Sequence, residues 1–331
     1  ITITDAEGKT AAAAEKKAVK GEQEIPLSID KPNLWWPAGY GKAYLYSLKV
    51  EVVQNGKTVQ ELQQKIGIRT VELVKKDPAG KQTFYFKVNG RKVLIHGENH
   101  IPLDYIKCYA TDAEYDRIFK LLENPNVNLI RIWGGGVVEE DSYYERCDEM
   151  GILIWHDMFL HSNTYPDYDP EFSANFMAEV EGIIRKVRPH VCFALICGGN
   201  EQQEGWDEWG WKGNLDRFYG DKFFNELTPP LAAKLCPDLP YIPNPPSGGP
   251  AQAGEFLSIH IKAHIFLEGL GPGITFVGLA GFGNEEGVRG AIVKITPVVT
   301  FTDCRRLAVH AAVGGVGNIG KIRTEFGRQR G

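Results

Sequence analysis

Between residues 93 and 197, short apolar runs alternate with stretches patterned as helices, and this alternation restricts the fold more than any other feature. The first run, residues 93–95, is followed by Thr111-x-x-Glu114, a spacing in which threonine and glutamate each satisfy a free amide of a helix's first turn. Behind it, Tyr115, Ile118, Phe119 and Leu122 fall on one face of a 3.6-residue period. Next come the strand VNLIRIW, a helix over about 139–150 closed by Gly151, and the strand ILIWHDM. A helix with Phe176, Val180, Ile183, Ile184 and Val187 on one stripe leads to the strand VCFALIC. Four strands separated by three helices predict a parallel sheet, because parallel neighbours need a crossover connection.

Two parallel architectures compete. A doubly wound sheet calls for a glycine-rich phosphate turn after its first strand, and HGENHIPLD contains no GxGxxG, while WGGG stands alone after the second. A (β/α)8 TIM barrel instead gathers its functional groups at the C-terminal ends of successive strands. Glu98, Asn99 and His100 follow the first run, Trp133 the second, Asp157 ends the third, and Asn200 and Glu201 follow the fourth. The expectation is therefore a barrel over 85–331. Residues 1–84 read differently: AYLYSLKVEVV and TVELVKK alternate apolar and polar residues, and QNGK is a hairpin turn, which together predict a β-sandwich. Trp35 and Trp36 in LWWPAGYG read as anchors of a loop on the core, with a sugar contact as the alternative.

A net charge of −5 gives no basic surface for nucleic acid or anionic membrane, and no apolar stretch reaches the roughly 18 residues of a membrane span. The opening ITITDAEGKT lacks the basic start and apolar middle of a secretory signal and reads as a segment cut inside a domain. The six cysteines form no CxxC pair and sit in apolar patterns, as buried thiols do, so neither disulfides nor a metal is expected. His156 and His161 share no loop with a third ligand, which argues against a metal there too.

The chemistry centres on Glu201. A strand buried on both faces delivers its carboxyl from apolar surroundings, and burial raises a carboxyl pKa by disfavouring charge. A carboxylic acid held partly protonated suits proton donation to a departing sugar oxygen. Asn200 offers an amide for a sugar hydroxyl, and Trp206, Trp209 and Trp211 offer flat apolar faces. The competing reading is that Asn-Glu caps the next helix and the indoles fill core. Asp157 could orient groups in such a site or simply bond loop amides.

NLWWPAGYG, IGIRTVELV, FYFKVNGRKVLIHGENHIP, NLIRIWGGGVVEEDSYYERCDEMGILIWHDM and CGGNE together resemble the β-mannosidases of glycoside hydrolase family 2. The resemblance runs from about residue 31 to 211. It implies an immunoglobulin-like β-sandwich followed by a (β/α)8 barrel, with Glu201 as the acid/base and Asn200 on the sugar 2-hydroxyl. Trp133 and Trp209 match aromatic positions lining the terminal sugar subsite; Asn99 matches a family asparagine, and His100 replaces a usual tryptophan. Asp157 is a further substrate-side candidate. The family's nucleophile lies in a Ser-Glu-Phe-Gly motif, to which RTEFG is similar, making Glu325 the candidate ahead of Glu285 and Glu286. SIH resembles another family stretch and brings in His260.

From Gly248 to Gly331 the chain holds 17 of its 37 glycines and no tryptophan, and the resemblance lapses between residues 265 and 320. Relative to the family, an N-terminal sugar-binding domain and the last barrel strand are missing, so the barrel is expected to be incomplete at its C-terminus. The function implied is exo-acting, retaining removal of terminal β-mannose from an oligosaccharide or glycoside, without a cofactor. A β-glucosaminidase or β-galactosidase, or a noncatalytic sugar-binding or scaffold segment, is the alternative.

Overall fold

The computed structural model describes residues 1–19, 23–104, 106, 110–123 and 127–245, and the backbone of three later strands. The N-terminal strands are β1 (Thr2–Thr4), β2 (Thr10–Ala13), β3 (Gln23–Glu24), β4 (Leu45–Gln54), β5 (Lys57–Gly67), β6 (Val71–Lys76), β7 (Gln82–Val88) and β8 (Arg91–Val93). They form an antiparallel sheet in the order β2-β1-β4-β5 and a second sheet in the order β6-β7-β8. The expected turn joins β4 to β5: Asn55 and Gly56 both take positive φ, 52° and 75°, as the tight hairpin requires.

Inward residues of the first sheet, including Ile3, Tyr46, Leu48 and Ile66, build one buried cluster with Leu27, Ile29 and Ile68. Side chains of the second sheet join a different cluster. Val71, Phe86, Val88 and Val93 pack with the apolar parallel strands that follow, and so does Trp35. Trp35 is fully buried, and its indole N–H donates to the Asp148 carbonyl at 2.7 Å, so it anchors a loop as expected.

Those parallel strands and their helices are β9 (Gly97–His100), α1 (Asp112–Leu122), β10 (Leu129–Ile132), α2 (Asp141–Met150), β11 (Leu153–Asp157), α3 (Pro170–Val187), β12 (Phe193–Cys197), α4 (Gln202–Asp207), α5 (Trp211–Asn214), α6 (Thr228–Leu235) and β13 (Tyr241–Ile242). The five strands lie in the order β13-β12-β11-β10-β9, each added beside its predecessor, without the reversal that a doubly wound sheet shows. Further along, β14 (Ile292–Val299) pairs with β15 (Leu307–Gly314), and β16 (Arg323–Thr324) pairs with β3.

Local chemistry sets the helix ends. Thr111 and Glu114 close the capping box on α1, whose buried face is Tyr115, Ile118, Phe119 and Leu122. Asp169 caps α3 by accepting from the amides of Glu171 and Phe172. Gly151 ends α2 at φ 75°, donating its N–H to Cys147.

The first parallel strand departs from expectation. The apolar residues 93–95 were expected to form it, whereas the ladder runs through the polar Gly97–His100, paired Gly97 to Leu129 and Asn99 to Arg131. Val93 instead closes the β7–β8 hairpin opposite Phe86. Helix α2 also starts later than expected, at Asp141, with Glu139 and Glu140 left outside it.

Candidate active site

Neighbouring residues on a strand face opposite sides of a sheet, and in a parallel pair the matched residues share a side. Asn99, Arg131 and Trp155 are matched across β9, β10 and β11, so they face one way. Glu98, His100 and His156 face the other, toward the helices. There His100 Nε2 donates to Glu139 at 2.6 Å, Tyr115 donates to the same carboxylate at 2.5 Å, and Tyr144 contacts His156 Nε2 at 3.1 Å. Burial pushes the Glu98 carboxyl up to about 7, and it pulls His156 down to about 4. Burial also works against ionisation of Glu139, but the hydrogen bonds from His100 and Tyr115 outweigh it and leave that carboxyl below its ordinary range.

On the opposite side, Arg131 organises the strand ends. Its Nε and Nη2 donate to Asp157 at 3.2 and 2.6 Å, its Nη2 also donates to Asn200 Oδ1 at 2.6 Å, and its Nη1 reaches Asn99 Oδ1 at 3.5 Å. Burial opposes the charge on Arg131, and the Asp157 carboxylate more than offsets this, holding the guanidinium above its usual value. Asp157 is fully buried and also accepts from the Trp155 indole and the Gly134 amide. It therefore bonds a loop amide, one of the two roles open to it, and fixes Arg131 as well.

The WGGG stretch is tight for a steric reason. A Cβ on Gly134 would collide with the Leu160 carbonyl oxygen, and one on Gly135 with the ring of Trp133. Those glycines let the Trp133 indole lie 5.2 Å from the imidazole of His161 at the end of β10.

Glu201 follows β12 and stands at the N-cap of α4, with φ 64° and no hydrogen bond from its side chain to the helix. The cap position belongs to its backbone; its carboxylate turns instead to Ser162, whose Oγ donates to Oε2 at 3.0 Å. Asn200 is buried, and its Nδ2 donates to the same Ser162 oxygen at 3.2 Å. The backbone of Glu201 donates to the Pro245 carbonyl at 3.0 Å, beyond the end of β13. Asn244, also buried, bonds Gln202 and the amide of Gln203.

The three indoles of the following segment part company. Trp206 stacks on Phe218 at 5.3 Å, Trp211 lies against Gly205, and Trp209 meets Trp211 edge-on at 5.7 Å while remaining 44% exposed. Trp206 and Trp211 pack against protein; Trp209 keeps a face for a ligand.

The structure thus brings Asn99, Asp157, Asn200 and Glu201 into one hydrogen-bonded arrangement. Glu325, His260, Glu285 and Glu286 lie outside the described residues, as do Cys108 and Cys304. Cys147, Cys192, Cys197 and Cys236 are buried thiols. Among the described residues no group of three or more His, Cys, Asp or Glu could hold a metal, and no helix is long and apolar enough to cross a membrane. Sequence reasoning missed Arg131, Ser162 and Asn244. Arg131 carried a usable signal: a cation inside an apolar parallel strand needs a buried partner.

Residues 1–69 match the family model described as glycosyl hydrolases family 2. A β-mannosidase B of Aspergillus niger is 31% identical over 258 residues, 75% of this chain and 30% of that protein. A solved β-D-mannosidase from Dictyoglomus thermophilum is 30% identical, with a TM-score of 0.65 over 73% of this chain and 30% of its own. The chain is similar to glycosyl hydrolases of family 2. The chain spans 22–30% of the length of the curated relatives it matches. Its fold also agrees with that of β-glucuronidase 3 from Bacteroides uniformis, at a TM-score of 0.55 and 20% identity.

Proposed function

We propose that this chain carries the acid/base side of an exo-acting retaining glycosidase that releases terminal β-D-mannose. Residues 1–84 are read as an immunoglobulin-like β-sandwich, and residues 85–331 as (β/α)8 barrel, of which β9 to β13 are the first five strands. The placement of Glu201 carries the reading: its carboxylate stands just past a buried parallel strand, released from helix capping and bonded beside Asn200. In a two-step displacement Glu325 attacks the anomeric carbon while Glu201 protonates the leaving oxygen; Glu201 then deprotonates the water that hydrolyses the glycosyl-enzyme. Asn200, Asn99, Trp133, Trp209 and His260 are the proposed sugar contacts, and Asp157 acts through Arg131. The likeness at about 30% identity to proteins named β-mannosidase supports the choice of mannose.

A panel of nitrophenyl glycosides tests the sugar, with the β-mannoside expected to be cleaved fastest. Glu201→Gln tests the role: cleavage of an alkyl mannoside should fall by a factor on the order of 10² to 10⁴, whereas the first step on a dinitrophenyl mannoside is spared. Equal losses on both substrates would count against Glu201 as the acid.

A further inference from the structure

Among the described residues, Ser162 is the group hydrogen-bonded to the Glu201 carboxylate, and the side-chain hydrogen bonds leading to it run in one direction. The Oδ1 of Asn200 accepts from Arg131 at 2.6 Å, which fixes the amide so that Nδ2 points toward Ser162. Asn200 Nδ2 then donates to Ser162 Oγ at 3.2 Å. A hydroxyl has a single proton. With its oxygen already accepting from an amide, Ser162 directs that proton to Oε2 of Glu201, 3.0 Å away.

The backbone is arranged around this contact. Ser162 and Glu201 both occupy positive φ, at 36° and 64°, a conformation uncommon outside glycine. Ser162 N–H donates to the Asn200 carbonyl at 2.8 Å, and Asn200 N–H donates to the Leu160 carbonyl at 2.9 Å, so the two loops are bonded across their backbones. The Tyr165 hydroxyl accepts from the His161 amide at 2.9 Å and donates to the His161 carbonyl at 3.2 Å, closing the Ser162 loop on itself. Two strained residues on separate loops thus meet through one hydroxyl and one carboxylate.

We infer that Ser162 is a positioning residue for proton donation, holding Oε2 of Glu201 as an acceptor so that the transferable proton resides on Oε1. This rests on the reading of Glu201 as the acid/base. In the first step the Oε1–H bond breaks as the glycosidic oxygen takes the proton, and the bond from that oxygen to the anomeric carbon opens. Glu201 is left as a carboxylate that still accepts from Ser162. In the second step Oε1 is the oxygen free to take a proton from water.

The test compares Ser162→Ala and Ser162→Gly with Glu201→Gln on aryl and alkyl β-mannosides of graded leaving ability. Glycine accepts the positive φ without strain, so an effect common to both serine variants reads the hydroxyl and not the backbone. Both are expected to lose roughly tenfold in kcat/KM on the poorest leaving groups and little on dinitrophenyl mannoside. A crystal structure of Ser162→Ala, a readout independent of turnover, should show the Glu201 carboxyl rotated. An unmoved carboxyl, or wild-type leaving-group dependence in both serine variants, overturns the inference. If Glu201→Gln loses activity with the expected leaving-group dependence while the serine variants do not, Ser162 alone is refuted; if Glu201→Gln lacks that dependence, the acid/base reading is what fails.

Discussion

Glu98 and Asn99 are adjacent in sequence and face opposite sides of the parallel sheet, so their chemistry diverges. Asn99 meets Arg131 on the proposed sugar side, while Glu98 is held among the buried groups of α2, where burial lifts it to about 7 from an ordinary 4.5. Between those two values the folded protein keeps a proton that the unfolded chain has released, so stability is full below the lower value and falls as pH rises through the upper. Glu98→Gln removes this dependence. Urea unfolding should find the variant equal to wild type at pH 4.5 and more stable at pH 8, by up to about 3 kcal/mol. An identical pH profile in both proteins would show that Glu98 is not buried as described. Glu201 was legible because an apolar strand ending in a carboxylate is rare and calls for a reason. Arg131 was half-legible, as a lone cation in LIRIW. Ser162 was not legible at all: in HSNT nothing distinguishes one polar loop residue from its neighbours, and its role depends on a loop 39 residues away.

At the scale of the element, three parallel strands and three helices followed their patterns because apolar period and capping agreed. The capping box of α1 is the cleanest case, with Thr111 and Glu114 each bonding the other's backbone. Thr111→Ala should destabilise the protein by about 1 kcal/mol, measured by thermal or urea unfolding, with no change in activity. Because alanine is the better helix former, an unchanged or raised stability would mean that the cap contributes nothing. The first strand defeated the pattern for a physical reason. Ladder bonds come from the backbone and need no apolar side chains, and His100, the buried residue of the polar GENH stretch, finds Glu139 behind the sheet. Of the more apolar residues before it, Val93 was drawn into a hairpin by Asn89-Gly90, whose positive φ values of 52° and 78° make the tight turn. A strand satisfied by partners distant in sequence leaves no local trace.

At the scale of the whole molecule, the antiparallel and parallel regions are joined by an ionised side chain as well as by apolar contact. Arg69, just beyond β5, is buried, donates from Nε to the Val191 carbonyl at 3.1 Å and from Nη2 to the Phe193 carbonyl, and is pulled down to about 10 by burial. Gly67 lies against Val191 on the same seam, and Gln64 reaches the Pro189 carbonyl at 3.4 Å. Arg69→Ala would strand those carbonyls and should cost about 2–4 kcal/mol, splitting denaturant unfolding into separate transitions for the two buried clusters. A single transition at wild-type midpoint would refute the coupling. Both carbonyls belong to the lead-in and first residue of β12, the strand whose far end presents Glu201. Grafting a foreign β-module in front of these parallel strands would therefore need to import an arginine at the joint; without it, Glu201 would hang from a strand left unmoored at its root.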